Sequence, residues 1–173
     1  MTRRLLLIAV LVYLSWLAMQ AIHELGHVIA ARLTGGEVVR VVIHPLAISR
    51  TDVAPNPAPL IVAWGGPVVG VAVPLLIIVV GRCWPSGCRA RGYADFFVGF
   101  CLIANGAYIG LGSFGRVGDA GDLQRHGSPQ WLLIAFGIVA ISGGLFIWHQ
   151  ALERRRQQPR VNDPPKRHSN GEC

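Results

Sequence analysis

Four apolar runs constrain this chain more than any other feature. They extend from about Leu5 to Ala31, Leu60 to Val80, Tyr93 to Leu111 and Trp131 to Ala151. A helix rising 1.5 Å per residue needs about 20 such residues to cross a hydrocarbon layer about 30 Å thick. Over the whole 173 residues, 52% are hydrophobic and only 14% charged, with a mean hydropathy of +0.46. The apolar residues fall in blocks, not in the short-period alternation of half-buried soluble elements. These properties exclude a soluble domain. They predict an all-α polytopic protein of about four transmembrane helices, with the membrane-embedded core spanning residues 1–152.

The net charge of +7 does not make a nucleic-acid surface, because the basic residues lie at the ends of the apolar runs, where they set orientation. With the N-terminus in the cytoplasm, Arg3, Arg4, Arg82, Arg89, Arg91 and six tail residues fall inside. Arg32, Arg40, Arg50, Arg116 and Arg125 fall outside, a bias of eleven to five. Both termini are therefore expected in the cytoplasm, with the cell membrane as location and the lipid bilayer as partner, and nucleic acid excluded. The N-terminal run also has the outline of a signal peptide, with Arg3-Arg4, an apolar stretch and small residues at Ala18 and Ala21. It continues on a helical period through Ile22, Leu25, Val28 and Ile29, so a retained span is expected. Cys83 and Cys88 flank a loop on the expected cytoplasmic side and are expected as free thiols. From Glu153 the chain turns rich in Arg, Pro and Gln, and residues 153–173 are expected to be a disordered basic tail. No sequence signal bears on oligomeric state.

Between the first two runs the helical character breaks. Gly35-Gly36 ends the first helix, and the β-branched stretch Val38 to Ile43 predicts a strand or short hairpin at the membrane surface. Pro45 and the run Pro55-Asn56-Pro57-Ala58-Pro59 stop further pairing. Such a strand can pair with an extended peptide or serve only as a connector. The second run opens with Trp64-Gly65-Gly66-Pro67 and carries Pro74. Prolines at this depth free backbone groups that protein or a wet cavity must satisfy. Asn105 in the third run needs a partner, either a substrate backbone or a neighbouring helix.

Against this background one pentapeptide, His23-Glu24-Leu25-Gly26-His27, stands inside a membrane span. Histidines four apart share one helix face and can hold one metal ion, and the intervening glutamate can act as general base. A charged group at the bilayer centre costs about 2.5–3.5 kcal/mol on insertion scales, so three polar groups within five residues point to use. A catalytic zinc site has three protein ligands and an open position. The loop after the third run emerges at the same membrane level and offers Asp119 and Asp122. His44, beside Pro45, is expected at the surface, and His126, His149 and His168 have no partner at ligand spacing.

In these motifs the chain resembles the site-2 protease family of intramembrane zinc metallopeptidases, over about residues 10 to 125. The family's His-Glu-x-x-His is matched by His23 to His27, and its Gly-Pro-x-x-Asn segment is similar to Gly66-Pro67-Val68-Val69-Gly70, with Gly70 in place of the Asn. Its later Asn and Asp-Gly pair correspond to Asn105 and to Asp119-Ala120. The resemblance implies one zinc ion on His23, His27 and Asp119 (or Asp122), Glu24 as the catalytic base, and Gly66, Pro67 and Asn105 as substrate-binding residues. It also implies hydrolysis of a peptide bond in or beside a transmembrane segment of a membrane-protein substrate. A zinc-binding scaffold without proteolysis is the alternative, and a metal transporter a more distant one.

Overall fold

The computed structural model describes residues 2–83 and 88–157. Its elements are α1 (Thr2–Leu33), β1 (Val38–Val42), β2 (Arg50–Val53), α2 (Pro59–Cys83), α3 (Cys88–Gly115), α4 (Gly118–Arg125) and α5 (Gln130–Gln157). The expected class holds: α1, α2, α3 and α5 are long and apolar enough to cross a membrane, and a two-stranded antiparallel hairpin joins the first two. Every helix extends a few residues beyond its apolar run, into the polar flanks. The final helix continues to Gln157, past Glu153. Residues 158–173, and the Cys83 and Cys88 thiols with the loop they flank, lie outside the described residues.

The helices run alternately up and down, and small residues let their backbones approach. Gly26 on α1 faces Gly65 on α2, while Gly106 and Gly110 on α3 face Gly137 on α5. Lipid is as apolar as leucine, so association inside a bilayer depends on this close contact more than on apolar burial. The side chains are accordingly sorted inside out. On α1 the buried set is Ser15, Met19, Gln20, His23, Glu24, Gly26, His27, Ala30 and Ala31, whereas Leu14, Leu25, Ile29 and Leu33 are exposed. The polar stripe faces the protein and the apolar one faces outward, as lipid requires.

Two small clusters fix the parts that lie off the bundle. Val38 and Val53 at the base of the hairpin pack on Ala30, Ala31 and Val62. On α4, Ala120 and Leu123 are fully buried against Ile109 and Leu133. An eight-residue helix has little stability alone, so this packing is what holds α4 and sets which of its side chains turn inward.

Pro67 and Pro74 lie within α2 without ending it. A proline cannot donate to the carbonyl four residues earlier, and Pro74 therefore leaves Gly70 O without its helical partner. Asn105 Nδ2 supplies that bond from α3 at 3.3 Å, so the polar residue in the third span and the proline in the second answer one another.

Candidate metal centre

Three elements meet behind the hairpin. His23 and His27 project one turn apart from α1, their rings 4.9 Å apart and nearly perpendicular. Asp119 reaches them from the first turn of α4. Its Oδ2 lies 2.6 Å from His23 Nε2 and 3.2 Å from His27 Nε2. With one ligand atom from each residue, all three atoms lie within 4.8 Å of one another, and the group can hold a metal ion.

The far side of each imidazole decides what the near side offers. His27 Nδ1 lies 2.7 Å from Val62 O, a carbonyl that can only accept, so Nδ1 carries the proton. His23 Nδ1 lies 2.7 Å from Asn105 Oδ1. Both Asn105 amide donors are committed, to Gly70 O and to Cys101 O, which fixes the amide orientation and makes Nδ1 of His23 a donor too. Each Nε2 therefore presents a lone pair towards a carboxylate oxygen. Acceptors that close need a cation between them, either a proton on an imidazole or a metal ion. The same bonding of Nδ1 orients histidine ligands in metal sites generally. The donor set fits a divalent cation of the kind imidazole and carboxylate bind.

Asp119 is the aspartate that joins the histidines. Asp122 instead pairs with Arg125 at the surface. With protons rather than a metal ion between them, the hydrogen bonds from His23 and His27 outweigh the burial that opposes ionisation of Asp119 and hold its carboxyl well below the usual range. Its backbone N–H donates to Tyr108 Oη at 3.2 Å, and the Tyr108 ring packs edge-on against His23.

Glu24 is buried beside His23. Its Oε2 accepts a 2.6 Å hydrogen bond from Thr51 Oγ1 on β2, while Oε1 has no hydrogen-bond partner among the described residues. One turn earlier, Gln20 Oε1 accepts from both the backbone N–H and the hydroxyl of Ser49, and Gln20 Nε2 donates to His44 O. Gln20 and Glu24 thus clasp the hairpin to α1. Thr51, Ser49 and Gln20 were not singled out from the sequence. Gln20 alone carried a signal, since it lies three residues before His23 and four before Glu24, on the same helix face.

Of the remaining residues singled out, Gly66 lies directly against the imidazoles: a Cβ there would stand 2.6 Å from His23 Nε2 and closer still to His27 Nε2. Gly66→Ala is expected to force the rings apart, lowering bound metal and destabilising the fold by about 1–3 kcal/mol, the usual range for overpacking. Metal content and thermal unfolding of the purified variant check this. Pro67 is fully buried. Asn105, only 1% exposed, spends both donors inside the protein and stands behind His23. Gly70 is the neighbour whose missing side chain makes room for it: a Cβ there would lie 2.6 Å from Asn105 Oδ1.

Two openings reach the centre. A groove of about 780 Å³ is lined by His27 and Asp119, by Ser49 and the β2 residues Arg50 to Val53, and by Asp122 of α4 with His126 just after it. A smaller pocket of about 110 Å³, between α1 and α3, is lined by Trp16, Met19, His23, Glu24, Ala104 and Tyr108, among others. Compared with known proteins, the chain matches no protein-family model, no curated protein and no solved structure.

Proposed function

We propose that this protein is an intramembrane zinc metallopeptidase that hydrolyses a peptide bond in or next to a transmembrane segment of another membrane protein. The observation that carries the reading is the meeting of Asp119 with two imidazole Nε2 atoms whose Nδ1 positions are already committed. Three such groups, with water as a fourth, would make the composition of a catalytic zinc site rather than a closed structural one. The two histidines and the glutamate occupy the spacing that zinc peptidases use.

Zinc bound there would lower the pKa of a coordinated water to about 7 and polarise the scissile carbonyl. Glu24 accepts the proton of the attacking water and returns it to the leaving amine. The Thr51 hydroxyl holds the Glu24 carboxylate in one orientation through Oε2 and leaves Oε1 for that transfer. A substrate helix must unwind to offer a peptide bond to such a site. Along the groove β2 provides backbone groups of a strand that, among the described residues, pairs on one side only, and an extended chain can take up such groups. Selection of substrates then depends more on how readily a segment unwinds than on its side chains.

The test is a comparison of short membrane-derived fragments in cells carrying the wild-type chain or His27→Ala, with the metal content of both purified proteins measured alongside. Fragments present with the wild type and missing with the metal-free variant support the reading. Identical fragment profiles, with metal lost from the variant, would sink it.

A further inference from the structure

At the end of the bundle opposite the metal centre, α2, α3 and α5 enclose a pocket of about 270 Å³ lined by Ile77, Ile78, Gly81, Ala90, Arg91, Ala94, Asp95 and Arg154. Gly81, Ala90 and Ala94 add little bulk to its lining. Asp95 is buried at its base and accepts a 2.7 Å hydrogen bond from Arg154 Nη2. That pair ties the end of α5 to α3 and cancels the negative charge of Asp95. A guanidinium has five donors, and Arg154 uses only the Nη2 end on Asp95. Arg91, on the pocket wall, has no acceptor among the described residues. Just outside, Arg155 lies over Gly92 without an acceptor among the described residues, so the surroundings are positive as well.

The opposite wall is apolar and continuous with the lipid-facing side of α2, where Leu76, Ile77 and Val80 are exposed. A free inorganic anion has no use for that wall. A phospholipid does: its phosphate meets the arginines while its first acyl carbons lie along Ile77. On the arginine bias this end of the bundle is expected in the cytoplasmic leaflet, which carries the anionic lipids, and basic pockets between transmembrane helices on that side are suited to their headgroups. We infer that the Arg91–Arg154 pocket is a binding site for the headgroup of an anionic phospholipid. This site lies apart from the metal centre, and its test does not depend on whether the protein cleaves peptides.

The full chain, purified in a mild detergent, is titrated with phosphatidylglycerol and separately with phosphatidylcholine, and bound lipid is counted by native mass spectrometry. Phosphatidylglycerol is expected to be retained in preference to phosphatidylcholine. Arg91→Gln is expected to weaken that retention about fivefold, the usual effect of one basic residue at an anionic membrane surface, and Arg91→Lys to restore most of it. Arg91 is exposed and has no acceptor among the described residues, so its loss does not threaten the fold. Arg4→Gln removes the same charge from the same end of the bundle but away from the pocket, and is expected to change nothing. Equal retention of the two lipids, or equal weakening by Arg91→Gln and Arg4→Gln, overturns the proposal. Displacement of phosphatidylglycerol by millimolar inorganic phosphate assigns the pocket to free anions and overturns it too.

Discussion

Glu24→Gln is expected to leave the metal in place and to lower peptide cleavage by about 10²–10⁴-fold, the range that a positioned general base contributes. The substitution changes almost nothing else. Glutamine has the same shape, its amide oxygen can still accept the Thr51 hydroxyl, and Glu24 is not one of the three groups that converge on the metal position. What is lost is a group able to accept and return a proton. Because Glu24 is buried, replacing a carboxylate with a neutral amide also removes a desolvation cost, so thermal stability should hold or rise. Metal content of the purified variant and the yield of membrane-derived fragments are the two readouts. Retained metal with lost cleavage supports the peptidase reading. Retained metal with cleavage unchanged removes Glu24 from the chemistry, and a wild type that binds metal without producing any fragment favours the scaffold alternative.

The membrane spans were legible because lipid imposes a length and a polarity that few other environments demand, and the His23-to-His27 spacing because a helix turn is fixed. Other features depended on partners far along the chain. Val38 to Val42 is β-branched and announces itself as a strand, whereas Arg50-Thr51-Asp52-Val53 does not. Its strand form comes from pairing with β1 and from the Glu24–Thr51 and Gln20–Ser49 hydrogen bonds. The stretch containing Asp119 reads as a Gly-rich loop, yet it forms α4 because Ala120 and Leu123 fit against Ile109 and Leu133. That fit also settles which aspartate turns inward, and nothing in the local sequence separates Asp119 from Asp122. Asn105 shows the same limit. The sequence establishes that a buried amide needs partners, but only the fold reveals that Pro74 has left Gly70 O waiting for one.

Asp119→Asn is expected to cost more metal affinity than the about 10–100-fold that follows loss of an outer-shell partner, because it neutralises one of the three groups that could hold the ion. Asp122→Asn should leave metal binding unchanged, and its stability should stay within about 0.5 kcal/mol, since Asp122 is half-exposed and its carboxylate pairs, among the described residues, only with exposed Arg125. Metal titrations of the two variants, side by side, decide between the aspartates that the sequence left open. The metal-free proteins add an independent signature in pH. Burial works against the Asp119 carboxylate, and the hydrogen bonds to His23 and His27 more than offset this, so its folded pKa lies below the unfolded value of 3.8. A group depressed in the folded state stabilises the fold above its unfolded pKa, and that contribution fades as the pH falls towards the folded one. Metal-free wild type should therefore melt above metal-free Asp119→Asn at neutral pH, with the gap closing only below about pH 4. A gap that is absent at neutral pH would mean that the two imidazoles do not hold Asp119 in the metal-free protein, and that the centre is assembled by the metal rather than waiting for it.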